Sequence, residues 1–243
     1  MKQISLIIRS FIFTSLFFLV TIVYAAVALI PFLLFGVKAL ILARSWVNTN
    51  FWLLKHLCNL DYRIEGQENI PSGACVVYWK HSSAWETLAM LVVFPGPQSW
   101  VVKRELEWIP IFGWALYALR PIAINRGAGR SAVKQVLEQG KARLKAGRRI
   151  MIFPEGTRMM PGQTRRYGMS GALLAAETGC PLVPVAHNAE DFWPRRGLRK
   201  RPGTVTVRIG QPIETKGRAP EDINADAKAW IDEQMEELRT ISQ

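Results

Sequence analysis

Between Ser10 and Val37 the chain carries no charged side chain, and Phe, Leu, Ile, Val and Ala dominate the run. As one helix rising about 1.5 Å per residue, this segment is about 42 Å long, more than the roughly 30 Å of a bilayer's hydrocarbon core. Two arrangements follow. The segment spans with tilt, or it breaks near Pro31 and lies partly in one leaflet as a helical hairpin with Ala39 to Leu57. A cleaved signal peptide would also carry Lys2 and Arg9 ahead of an apolar stretch. The length of the run and the lack of a clean small-residue cleavage site argue against it. Residues 1–58 are expected to form a membrane-anchoring helical segment and residues 59–243 a globular domain.

Lys and Arg total 31 against 19 Asp and Glu, a formal net charge of +12. Such a charge fits nucleic acid, an anionic membrane surface or anionic substrates. Beside an apolar N-terminus the membrane surface requires no further assumption, since a basic residue near anionic lipid is worth about 1 kcal/mol. No recognisable nucleic-acid-binding motif accompanies the charge, so that class is set aside. Arg195, Arg196, Arg199, Lys200 and Arg201 form a local cluster. It reads equally as a solvated loop or as a contact for lipid headgroups or an acidic carrier protein. Cys58, Cys75 and Cys180 stand far apart in apolar surroundings, with no pairing that uses all of them and no metal-ligand spacing. They read as small buried hydrophobes of a reducing compartment. The body is therefore placed on the cytoplasmic face of the inner or plasma membrane. Basic residues flank the apolar run on both sides and do not fix its orientation.

Beyond the anchor, Asp61 to Gly73 is polar and punctuated by Gly66, Pro71 and Gly73, which marks the entry into the globular part. Short apolar runs then alternate with longer helical patterns. Strands are expected at 74–78, 99–102, 121–124, 149–153, 182–185 and 204–209. Helices are expected at 84–93, at 110–118 with Pro110 in the first position, and at 130–144, 168–178 and 222–238. This alternation predicts an α/β fold, a single largely parallel sheet flanked by helices and preceded by N-terminal membrane helices.

Polar islands follow several of the expected strands, where open α/β sheets bind ligands. The first holds His81 and, five positions on, Glu86. An imidazole accepts a proton from an alcohol near neutral pH, and a carboxylate holds its tautomer and stabilises the imidazolium. If a helix begins near Ser83, Glu86 lies in its first turn, where a carboxylate also caps backbone N–H groups. Lys80 and Ser82 flank the base, either as phosphate contacts or as solvated residues. The other islands are Asn125-Arg126 and Phe153-Pro154-Glu155-Gly156-Thr157-Arg158. His187, after the strand that starts at Leu182, reads as a strand-end histidine making a structural hydrogen bond.

The order of these islands resembles the glycerolipid acyltransferase family, specifically the 1-acyl-sn-glycerol-3-phosphate acyltransferases. That family's first motif is a histidine followed five positions later by an acid, matched by His81 and Glu86. Its second is matched by Ile124-Asn125-Arg126, preceded by Lys103, Glu105, Leu106, Ile109, Pro110 and Gly113 of a K-x-E-L-x-x-I-P-x-x-G pattern. Its third, F-P-E-G-T-R, is intact from Phe153 to Arg158, and its fourth is Pro181 to Val185. The resemblance covers about residues 60 to 215. It implies that residues 59–243 transfer a fatty acyl group from acyl-CoA or acyl carrier protein to the hydroxyl of lysophosphatidic acid. His81 is then the general base and Glu86 its orienting acid. Arg126 and Arg158 hold the acceptor phosphate, with Lys103 as a further contact. Gly156 lets the backbone approach, Thr157 lies in the same substrate-binding island, and Glu155 fixes the loop or touches the acceptor. No metal or organic cofactor is implied, because a thioester is already activated.

The chain departs from the family pattern at three places. Glu86 is one methylene longer than the usual aspartate, and Asn125 replaces a frequent carboxylate. Gly168 stands where a lysine is common, with Arg165 and Arg166 just upstream as substitutes. The Glu86 change keeps open a membrane-anchored binding protein that has lost catalysis. Another lysophospholipid or a lyso-ornithine lipid remains open as acceptor. A hydrolase finds neither a serine elbow nor a metal-ligand set to support it.

Overall fold

The computed structural model describes residues 2–35, 39–109, 113, 116–117 and 119–242. The apolar N-terminus forms helix α1 (Lys2–Phe35), which runs through Pro31 instead of breaking there. Helix α2 (Ala39–Cys58) returns antiparallel along it. Polar groups tie the two helices together: the Tyr24 hydroxyl lies 2.9 Å from both Ser45 Oγ and Thr49 Oγ1, and Trp46 Nε1 donates to Thr21 Oγ1 at 3.1 Å. The two helices form a helical hairpin, and Pro31 lies within α1. Gln3–Val27 is long and apolar enough to cross a membrane, and Ile4, Phe11, Phe18, Leu19, Ile22 and Val27 of this stretch are exposed.

The body is one sheet of seven strands. Its strands are β1 (Leu60–Glu65), β2 (Val76–Trp79), β3 (Gln98–Lys103), β4 (Ile122–Ile124), β5 (Arg149–Ile152), β6 (Leu182–His187) and β7 (Gly203–Ile209), in the spatial order β1-β7-β6-β2-β5-β3-β4. All described pairings are parallel except β6 with β7. The helices are α3 (Trp85–Val93), α4 (Arg130–Lys145), α5 (Ser170–Thr178), the short α6 (Ala189–Phe192) and α7 (Pro220–Ser242). Period-two alternation sorts β2 between two cores. Val77 and Trp79 face α2 and α3, and Val76 and Tyr78 face α4, α5 and α7. The largely parallel α/β sheet is therefore as expected.

One reading needs correction. No strand is expected between Asp61 and Gly73, but the first residues of that stretch belong to edge strand β1, paired with β7. Leu60, Tyr62 and Ile64 alternate with Asp61, Arg63 and Glu65, and the apolar set packs on the core while the charges stay at the edge. The helix expected at 110–118 falls largely outside the described residues.

Because β2, β5, β3 and β4 are adjacent and parallel, their carboxyl ends share one edge. Lys80-His81, Phe153–Arg158, Lys103 and Asn125-Arg126 all emerge there. His187 joins them from β6, which pairs parallel with β2.

Candidate active site

His81 leaves the end of β2 in a turn that α3 closes. Glu86, in the first turn of α3, is fully buried. Its Oε1 accepts from the N–H groups of Ser82 at 3.0 Å and Ser83 at 2.9 Å, and its Oε2 from Ser83 at 3.0 Å. The same Oε1 lies 2.8 Å from His81 Nδ1. The capping role and the orienting role are thus held by one carboxylate. Burial alone raises a carboxyl, but the hydrogen bond from His81 leads the effects that outweigh it and hold Glu86 below the usual carboxylate value. An ionised carboxylate only accepts, so the imidazole hydrogen sits on Nδ1 and the lone pair on Nε2.

Behind this pair stands His187, fully buried. The Ala189 N–H donates to its Nδ1 at 3.2 Å, so Nε2 carries the hydrogen and donates to the Lys80 carbonyl at 2.9 Å. Burial pushes its pKa down and keeps the ring neutral. The structural hydrogen bond read for it is present, and it fixes the residue next to His81. Its Nε2 also lies 3.9 Å from Glu86 Oε2.

The third island supports His81 from the other side. Glu155, almost fully buried, accepts from Lys80 Nζ at 2.6 Å and from the His81 backbone N–H at 2.9 Å. Lys80 is therefore not solvated; it is the buried partner of Glu155, whose carboxylate ties the turn after β5 to the His81 turn. The Phe153 ring stacks on the imidazole with centroids 3.9 Å apart and planes 16° from parallel. The Met159 N–H donates to the His81 carbonyl at 2.7 Å, which places Arg158 beside the base. Gly156 has φ of +68°, and its N–H closes a turn onto the Phe153 carbonyl at 3.0 Å. Left-handed backbone, rather than a crowded approach, is the visible reason for glycine there, since a Cβ would meet nothing within 4 Å. Thr157 and Arg158 are half-buried beside it.

Lys103 is exposed at the end of β3, two strands from β2. Arg126 starts a short turn after β4, three strands away, and its side chain lies outside what is described. At about 4.8 Å per strand those ends lie about 10 and 14 Å from that of β2. The structure thus joins His81, Glu86, Glu155, Gly156, Thr157 and Arg158 in one cluster and sets Lys103 and Arg126 along the same edge. Sequence reasoning missed Lys80 as a buried ion-pair partner, the stacking role of Phe153, and the place of His187 behind the acid. Nothing local to Lys80 signals its burial, which its pairing with Glu155 decides.

Residues 61–188 match the acyltransferase family profile. The chain belongs to the acyltransferase family. A 1-acyl-sn-glycerol-3-phosphate acyltransferase of Pseudomonas aeruginosa is 41% identical over 216 residues, covering 88% of this acyltransferase and 84% of that protein. The human 1-acyl-sn-glycerol-3-phosphate acyltransferase alpha is 29% identical over 191 residues, 78% of this chain and 68% of that one. The crystal structure of the 1-acyl-sn-glycerophosphate acyltransferase PlsC of Thermotoga maritima shares the fold, with a TM-score of 0.80 over 98% of each chain at 23% identity.

Proposed function

We propose that this acyltransferase moves a fatty acyl group from acyl-CoA or acyl carrier protein to the sn-2 hydroxyl of 1-acyl-sn-glycerol-3-phosphate, giving phosphatidic acid. The observation that carries this reading is the oriented imidazole of His81, held by a buried carboxylate beside the intact Phe153–Arg158 island. Nε2 of His81 accepts the hydroxyl proton as that oxygen bonds to the thioester carbonyl carbon. The C–S bond then breaks, and the leaving thiolate takes the proton from the imidazolium, which returns His81 to its neutral form. Glu86 stabilises the imidazolium in between, as the acid of a Ser-His-Asp triad does, with the substrate alcohol in the place of the serine.

Arg158 supports reception of the acceptor phosphate, because the Met159 N–H bond to the His81 carbonyl sets this guanidinium-bearing residue beside the base. Arg126 and Lys103 extend that cationic edge, and Arg165 and Arg166, both exposed, lie on the same loop as Arg158. No cofactor enters the scheme. The body sits on the cytoplasmic face, where both thioester donors are found, with residues 1–58 as its anchor. The acceptor is tested by comparing acylation of lysophosphatidate with that of lysophosphatidylglycerol by the purified protein. Faster turnover of lysophosphatidate is expected; acylation of the other lipid alone would overturn this assignment.

A further inference from the structure

The stretch Pro194–Pro202 reads P-R-R-G-L-R-K-R-P, with five basic residues and no acid. It connects α6 to β7, and Arg196, with φ of +58°, turns it back on itself. At the apex Leu198 is 71% exposed, and Arg196, Arg199 and Arg201 are exposed around it. None of these three arginines is in an ion pair among the described residues.

The loop is stapled to the apolar helix α1. The Lys200 N–H donates to Ser10 Oγ at 2.9 Å, and its buried Nζ donates to Thr14 Oγ1 at 2.6 Å while lying over the rings of Phe13 and Trp193. Phe13 packs edge-on against Trp193 with centroids 5.6 Å apart. Wherever α1 meets lipid, the loop lies alongside, within about one helix diameter, 10–12 Å. That is close to the screening length of about 8–10 Å over which basic groups feel an anionic surface. The other flank of the loop touches the active site. Ser83 Oγ donates to the Trp193 carbonyl at 2.5 Å, and Arg195 Nη1 donates to the Arg158 carbonyl at 2.6 Å.

We propose that residues 194–202 are a docking surface for anionic phospholipid headgroups, with Leu198 entering the acyl layer beside α1 and Arg196, Arg199 and Arg201 on the phosphates. An acidic carrier protein would also match the charge. The apolar apex and the staple to α1 favour lipid, because both put the loop on the side of the molecule that leaves water. Docking there sets the height of His81 above the lipid surface through Trp193 and Ser83. The inference rests on membrane association and not on the identity of the acceptor.

The test is partition of the full-length protein onto vesicles of phosphatidylcholine, with and without phosphatidylglycerol. The unaltered protein is compared with Arg196→Gln/Arg199→Gln/Arg201→Gln and with Leu198→Gln. Wild type should prefer the anionic vesicles and lose that preference in high salt. The triple variant should lose up to about a hundredfold of the preference, at about one basic contact per arginine, while still binding neutral vesicles through the hairpin. Leu198→Gln should weaken binding to both. Unchanged acylation in detergent micelles reports intact folding and chemistry. A phosphatidylglycerol preference that survives the triple substitution, or that persists for wild type in high salt, overturns the proposal. So does a triple variant that keeps the preference and loses only transfer from acyl carrier protein, which would assign the loop to the carrier.

Discussion

At the scale of single residues, the site turns on how Glu86 is held. Its folded-state value lies below the ordinary carboxylate value of 4.5. The stability it contributes is therefore present above about pH 4.5 and is lost as pH falls through the lower, folded value. Glu86→Gln should unfold at lower denaturant than wild type at pH 7, and the gap should narrow as pH falls below about 4.5; a gap independent of pH would contradict this. Glu86→Asp removes one methylene from a carboxylate that meets both the imidazole and the Ser82 and Ser83 N–H groups. The wild type is expected to be active, and the Asp form less so. An inactive wild type revived by Asp would support the catalytically lapsed alternative. Lys80→Met should cost about 3–5 kcal/mol, because it leaves the carboxylate of Glu155 buried without its partner. A denaturant midpoint close to that of wild type would argue that the pair is not held as described. His81, Glu86 and the Phe153–Arg158 island were legible because their residue types and spacing carry the chemistry. The burial of Lys80 was not, because a lysine after an apolar strand leaves a turn in either direction and only the partner 75 positions on decides which.

At the scale of elements, the order of strands and helices followed from alternating patterns, since each strand must bury both faces between helices. Edge strand β1 escaped because an edge needs only one apolar face, and its charged residues made the stretch read as polar. The hairpin was legible as one of two arrangements. A break at Pro31 rests on local grounds, whereas α1 carries its proline within the helix. The turn after β5 depends on one left-handed residue. Gly156→Ala keeps the open space but forces a side chain into φ of +68°, which should cost about 1–2 kcal/mol. The accompanying shift of Thr157 and Arg158 should raise KM for lysophosphatidate more than it lowers kcat. A fall in kcat alone would place the strain on the imidazole instead.

At the scale of the whole molecule, the hairpin and the body meet at Lys200, whose burial lowers its pKa from 10.5 to about 8. Between those values the folded protein has shed a proton that the unfolded chain keeps, so stability should rise with pH from about 8 to about 10.5. Lys200→Met should flatten that slope, as measured by denaturant melts in detergent; an unchanged slope would assign it to another group. No local pattern revealed this junction, because its partners Ser10, Thr14 and Phe13 lie nearly the length of the chain away. The proposed chemistry has a base at the carboxyl edge of a parallel sheet activating a lipid hydroxyl held beside the membrane. The decisive assay compares purified wild type and His81→Ala with lysophosphatidate and acyl-CoA, with Arg158→Ala alongside. His81→Ala should lose at least the 10²-fold that a general base contributes, chiefly in kcat, while Arg158→Ala should chiefly raise KM. Full activity in His81→Ala would remove His81 as the general base.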